Sequence, residues 1–125
     1  MDRFATRRAQ FAGVLGDGIA VIPAGVETVR NDDVHHEFRQ DSAFFFLTGF
    51  HEPDAVAIID PSHTTEPYVL FVRPRDREME TWNGYRAGVE GAKERFDARA
   101  AYPISELASE LRQRLVGRQI LHYRR

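Results

Sequence analysis

The chain contains no cysteine, which excludes a disulfide framework and any thiolate metal site and is compatible with a reducing compartment. It also lacks an apolar run approaching the roughly 20 residues that a membrane-spanning helix needs. Its opening stretch, MDRFATRRAQFAGVLGDG, is too charged to serve as the apolar region of a secretory signal. Charge of one sign is not in excess: 17 Lys and Arg stand against 19 Asp and Glu, a formal net charge of -2, with acids and bases interleaved. A nucleic-acid binder instead shows a clustered basic stripe. Nucleic acid and membrane are thus not expected partners, and a soluble, cytoplasmic protein is expected. With 125 residues the chain suits one domain around one hydrophobic core.

The apolar residues that are present fall into short blocks. Phe4, Phe11, Ala12 and Leu15 recur near helical spacing between Asp2, a candidate N-cap, and the Gly16 to Gly18 stop, predicting an opening helix. IAVIP reads as a strand, and GVETVRNDDVHHEF as a polar connector without a clear period. In Ala43 to Thr48 the run Phe44, Phe45, Phe46, Leu47 leaves no polar face, so it is expected to be a central strand covered on both sides, with its three phenylalanines structural. DAVAIID and EPYVLFVRP, joined by PSHTT, predict a hairpin with Val69 and Phe71 facing one way and Leu70 and Val72 the other. GVEGAKERF predicts a short helix with Ala92 and Phe96 inward. Ser105 is the expected cap of a helix carrying Leu107, Leu111 and Leu115, and QILHY is a last strand. Strands alternating with helices predict an α/β fold: a mixed β-sheet flanked by helices on both faces. The chain stops at HYRR directly after a strand, with no closing helix, and is read as truncated.

Chemistry-bearing patterns are sparse. His35 and His36, with Asp32, Asp33 and Glu37, are the right residue types for a zinc or manganese site. Adjacent residues of an extended segment diverge, however, and no HExxH-like spacing is present, so the segment is read as a solvated polar loop. Asp2, Asp17 and Glu66 offer no paired-carboxylate geometry that sequence establishes. Ser42 and Ser62 lack a G-x-S-x-G setting, and GDGIAV lacks the rest of a dinucleotide fingerprint. No catalytic acid, base or nucleophile is nominated, and no metal ligand. The single tryptophan, Trp82, lies in the polar, Gly-rich METWNGYRAGVEG. It reads either as a buried anchor for the following turn or as the aromatic wall of a binding site.

Several separated motifs occur in a fixed order: R-Q-D-S at Arg39, F-x-x-L-T-G-F-x-E-P at Phe44, L-F-V-R-P-R-D at Leu70, and W-x-G-x-R-x-G-x-E-G-A at Trp82, after an R-R-x-Q-F opening helix. Together they resemble the N-terminal domain of Xaa-Pro aminopeptidase (aminopeptidase P), in the wider group with prolidase and creatinase, and the resemblance runs from about Arg8 to the C-terminus. It implies a ribonuclease-H-like layout of mixed sheet and flanking helices, the creatinase/prolidase N-terminal fold. It further implies that residues 1–125 are the non-catalytic domain of an enzyme releasing the N-terminal residue from peptides with proline second. The chemistry belongs to a C-terminal pita-bread catalytic domain absent from this chain, where two Mn(II)-type ions activate a bridging hydroxide. No motif here matches that ligand set of Asp, His and Glu, so the chain by itself is expected to bind no cofactor and to be inactive.

The resemblance also implies partners and site residues. The partners are the chain's own catalytic domain, other subunits of a homo-oligomer, and proline-containing peptides. Trp82 resembles a tryptophan that reaches a neighbour's substrate cleft, and Asp33 an aspartate that supports the site by hydrogen bonding, making both candidate substrate-binding residues. His35, His36 and Glu37 depart from the more aromatic, Pro-containing segment of the family. Two other readings are a stand-alone binding or scaffold module without catalytic activity, and a nuclease. The second would need carboxylates on strand ends to hold Mg(II), and IAVIP and FFFLT carry none.

Overall fold

The computed structural model describes residues 3–16, 18–25, 27–29, 36–38, 40–63, 65–76, 78, 80–81, 86–114 and 120–122, with the backbone alone at 27–29, 36–38 and 120–122. In chain order the elements are α1 (Arg3–Leu15), β1 (Ile19–Pro23), β2 (Glu27–Val29), β3 (His36–Phe38), α2 (Ser42–Thr48), β4 (Val56–Ile59), β5 (Tyr68–Val72), α3 (Gly88–Phe96), β6 (Ala100–Pro103), a 3-10 turn (Ile104–Glu106), α4 (Leu107–Arg114) and β7 (Ile120–His122).

Five strands form one mixed sheet in the order β6-β5-β4-β1-β7. The central pairs are antiparallel, Val21 opposite Ile58 and Leu70 opposite Ala57, while β6 and β7 pair in parallel at the two edges. Strand side chains alternate, so Ile22, Ile59, Leu70 and Val72 pack on one face, and Ile19, Ile58, Val69 and Phe71 on the other. The first face is covered by α1, α2 and α3 through Leu15, Phe44, Leu47 and Ala92. The second is covered by the 3-10 turn and α4 through Ile104, Leu107 and Leu111. This is the expected mixed α/β layout with helices on both faces, and the hairpin, its two-faced β5 and the inward Ala92 and Phe96 all agree with the sequence reading.

The FFFL segment is not a strand. It forms α2, seated between two caps: Asp41, in extended backbone, accepts the Phe44 N–H on Oδ2 at 3.0 Å, and Gly49, left-handed at φ 72°, donates its N–H to Phe45 O. Phe44, Leu47 and Thr48 are buried at helical spacing, whereas Phe45 and Phe46 are 40% and 52% exposed. A short apolar run cannot distinguish strand from helix, and here the caps decide. Phe44 is therefore structural as expected, and Phe46 is a surface residue with the Arg7 guanidinium over its ring at 4.2 Å.

Further differences are smaller. The edge strand β6 is not among the expected strands. The polar connector holds β2 and β3, which pair antiparallel with Thr28 opposite Glu37. Ser105 lies within the 3-10 turn rather than at a helix cap, because Pro103 supplies the extended residue that begins the turn. Asp2, Leu115 and the Asp32 to His35 part of the polar segment lie outside the described residues.

Two buried arginines tie the layers together. Arg8 of α1 donates to Leu47 O at 2.9 Å and to Asp97 Oδ2 at 2.9 Å while its guanidinium lies 4.1 Å from the centre of the Tyr68 ring, joining α1, α2 and the end of α3. Arg114 of α4 reaches Asp60 Oδ2 at 3.2 Å and Glu66 Oε1 at 2.7 Å, and the Tyr102 hydroxyl donates to the same Glu66 carboxylate. Asp60 is fully buried. Burial and the neighbouring Glu66 carboxylate push the Tyr102 phenol up to about 12.

Candidate functional site

Gln40, of R-Q-D-S, organises one corner of the domain. Its amide can accept two hydrogen bonds and donate two, and it does all four. Oε1 accepts from the Gly25 N–H at 2.6 Å and the Asp41 N–H at 2.9 Å, while Nε2 donates to Phe50 O at 3.2 Å and Glu52 O at 3.0 Å. One side chain thereby locks the start of α2 to the segment that follows it and to the exit of β1.

Glu52, of F-x-E-P, is held in place by that bond and turns both carboxylate oxygens toward later motifs. Oε1 pairs with Arg73 Nη2 at 3.3 Å, and Oε2 accepts the Ala87 N–H at 2.8 Å. Arg73 opens R-P-R-D directly after β5, and Ala87 precedes α3, so a negative charge sits at a helix N-terminus, where the dipole favours it.

Glu80 completes the corner. Its Oε2 accepts from Arg75 Nε and from the Asp76 N–H, each at 2.9 Å, and its Oε1 accepts the Arg86 N–H at 3.3 Å. The Arg75 hydrogen bond holds the Glu80 carboxyl at about 2, well below its ordinary 4.5, outweighing the opposing effect of burial and aided by the Asp76 and Arg86 N–H groups. Arg86 Nη1 in turn donates to Pro74 O at 3.2 Å.

The motif glycines fit the same geometry. Gly88 adopts φ +72°, and a Cβ there would stand 2.6 Å from Arg75 Cγ; at Gly49, φ +72°, a Cβ would stand 2.8 Å from the Phe4 ring. A groove of about 470 Å³ runs beside the corner, lined by Pro74, Arg75, Ala87, Val89 and Glu90 among others. Chemically the corner is a set of charge-assisted hydrogen bonds fixing backbone, with the Glu52 and Glu80 carboxylates engaged by donors on both oxygens.

Of the residues nominated from sequence, Trp82 and Asp33 lie outside the described residues, as does His35. What is described is the chain on either side of Trp82, from Glu80 and Thr81 to Arg86 and Ala87, and it is this chain that Glu52 and Glu80 hold. Gln40, Glu52 and Glu80 were missed as site residues. The first two lie inside quoted motifs, but a motif does not disclose which distant backbone groups its side chains bind. No group of three or more His, Asp or Glu side chains that could hold a metal occurs among the described residues. The described residues therefore do not fit the Mn(II)-type ions that the resemblance implies for the enzyme.

The model of the aminopeptidase P N-terminal domain family matches residues 4–122. Among curated proteins, the Xaa-Pro aminopeptidase of Haemophilus influenzae is 40% identical over 111 residues, covering 88% of this chain and 26% of that protein. The Xaa-Pro aminopeptidase of Escherichia coli is 37% identical over 122 residues, covering 96% and 28% respectively. Among solved structures, the aminopeptidase PepP of Pseudomonas aeruginosa superposes with a TM-score of 0.89 at 40% identity, over 95% of this chain and 27% of that one. The chain thus spans about a quarter of the length of the relatives it matches. No helix of the described residues is long and apolar enough to cross a membrane.

Proposed function

Because this chain belongs to the aminopeptidase P N-terminal domain family, we propose that it is the non-catalytic N-terminal domain of a cytoplasmic Xaa-Pro aminopeptidase. It works with a C-terminal catalytic domain that releases the first residue from peptides with proline second. That domain supplies the metal-dependent hydrolysis, and this one supplies surface. The observation that carries the reading is the match across residues 4–122 to a family whose Haemophilus influenzae and Escherichia coli members are three to four times longer than the stretch they share with this chain.

Within that enzyme Trp82 and Asp33 are assigned to the substrate mouth, Trp82 as an aromatic wall and Asp33 as a hydrogen-bonding support. The family module also docks on other subunits, and an exposed apolar strip on α1 and α2 supports such a contact: Val14 is 82% exposed and Phe46 52%, beside a groove of about 590 Å³.

The test is Trp82→Ala in the full-length enzyme, with the 125-residue chain melted in parallel. Loss of an aromatic substrate contact costs about 1–3 kcal/mol, roughly 5- to 150-fold in kcat/KM, with the melting point of the domain unchanged. A core anchor would instead destabilise the domain by about 3–5 kcal/mol and leave turnover of the folded enzyme near normal.

A further inference from the structure

Glu66 belongs to two hydrogen-bond systems, one through its backbone and one through its side chain. Its N–H donates to Nδ1 of His63 at 3.0 Å, and the neighbouring Thr65 N–H approaches the same atom at 3.4 Å. Its carboxylate accepts the Tyr102 hydroxyl on both oxygens, at 2.9 and 3.0 Å, and takes Arg114 Nη2 on Oε1 at 2.7 Å. The Glu66 carbonyl accepts Arg114 Nη1 as well, at 3.1 Å. His63 is placed by its own N–H, which donates to Asp60 O at 3.0 Å. A histidine between β4 and β5 thus holds the backbone of the residue that ties Tyr102 of β6 and Arg114 of α4 to this end of the sheet.

Two N–H donors aimed at Nδ1 require that nitrogen to be unprotonated, so the fold selects the neutral imidazole with its proton on Nε2. A second proton acts twice in the same direction. Nδ1 turns from acceptor into donor, and the Glu66 N–H loses its partner. The ring also becomes a cation next to a crowded set of charges. Among the described residues these are Asp60 and Glu66, Arg99 before β6, Tyr102 in β6, and Glu110 and Arg114 in α4. Asp60, Glu66 and Glu110 all pair with Arg114, so three carboxylates share one guanidinium, and a second cation competes for them.

We propose that His63 is a proton-sensitive latch: neutral, it pins Glu66 and thereby holds α4 to the β4–β5 turn, and proton uptake releases the pin. The pin is the acceptor of the neutral ring, so the tie is intact at the alkaline end of the imidazole range and weakens as pH falls through it. That range lies within about pH 8 to 5, where no other side-chain type ordinarily changes its charge.

Amide hydrogen exchange in the 125-residue chain, corrected for the intrinsic pH dependence of exchange, reads the latch. Between about pH 7.5 and about pH 5.5, protection of the Glu66 amide is expected to fall roughly 10-fold and that of the Arg114 amide in α4 roughly 3-fold, while the Leu70 amide in β5 holds its value. His63→Asn sets an amide oxygen where Nδ1 stands and does not titrate, so it should keep the high protection at both pH values. His63→Phe has no acceptor and should show the low protection at both. Nitrogen-15 NMR at neutral pH should find the ring proton on Nε2, the His63 signals being identified among those of the 5 histidines by their loss in His63→Asn.

A ring proton on Nδ1 at neutral pH would overturn the proposal. So would Glu66 protection that is flat in the wild type, or that still falls with pH in His63→Asn. A loss at Leu70 equal to that at Glu66 would mark general unfolding and reject a local latch, and a constant Arg114 amide would reject the link to α4. If His63→Phe does not fold, the wild type and His63→Asn decide the matter between them. No substrate is used, so the outcome is independent of the roles assigned to Trp82 and Asp33.

Discussion

The carboxylate of Glu52 accepts the backbone N–H of Ala87 at 2.8 Å across 35 positions of sequence. That bond joins the segment after α2 to the residue before α3. The same carboxylate neutralises Arg73, so the exit of β5 and the entrance of α3 are fixed by a single side chain.

Acid should loosen this corner late. The folded-state value of Glu80, about 2, lies below its ordinary 4.5, so its contribution is fully present above about 4.5 and is lost as pH falls through about 2. Carbon-detected NMR titration of the Glu80 carboxyl should show a midpoint close to 2, returning toward 4.5 in Arg75→Gln, whose exchange removes the main cause.

Alkali should act at the opposite face. The Tyr102 phenol is raised from 10.0 to about 12, so its protonated form contributes stability that is intact below about 10 and lost as pH rises through about 12. Ultraviolet titration of the folded protein should show a late-titrating phenolate that is absent from Tyr102→Phe.

Asp41→Ala removes the N-cap of α2 and should lower stability by about 1 kcal/mol, within a range of about 0.5–2. Urea denaturation of the chain measures it. A strand at Ala43 to Thr48 would make the same exchange nearly neutral, so the result separates the two conformations of FFFL.

Gly49→Ala combines a positive φ with a Cβ 2.8 Å from the Phe4 ring, and should cost about 1–3 kcal/mol. Adding Phe4→Leu should recover the part due to ring contact and leave the backbone part. A double-mutant cycle on the denaturation midpoint gives the split.

Arg114→Met strips the fully buried Asp60 of a cation and should destabilise by about 3–5 kcal/mol. Asp60→Leu with Arg114→Met should be milder than the single change, because the fully buried carboxylate is then removed along with its cation. Thermal melts of the three variants check the order.

The sequence by itself determined the class of the fold, the presence of α1, β1, the β4–β5 hairpin, α3 and β7, and the family. IAVIP and YVLFV are short apolar runs rich in β-branched or aromatic residues with Gly or Pro at their flanks, a local strand signal, and the helical spacing of Phe11, Leu15, Ala92 and Phe96 is likewise local, so both are legible without a partner. The family was legible because its motifs are strings with fixed order.

Tertiary structure decided what those strings do. FFFL is apolar at every position, so periodicity carries no information there. Its helix follows from Asp41 and Gly49 acting as caps, and from Gln40 fixing Asp41 against Gly25 and Phe50. Glu52 and Glu80 were not nominated from sequence, because a carboxylate's role depends on the donors that surround it. For Glu52 those donors, Arg73 and Ala87, become neighbours only when β5 and α3 pack at one end of the sheet. Asp60 and Arg114 were equally silent, since charges far apart in sequence reveal a buried pair only after folding has removed the water between them.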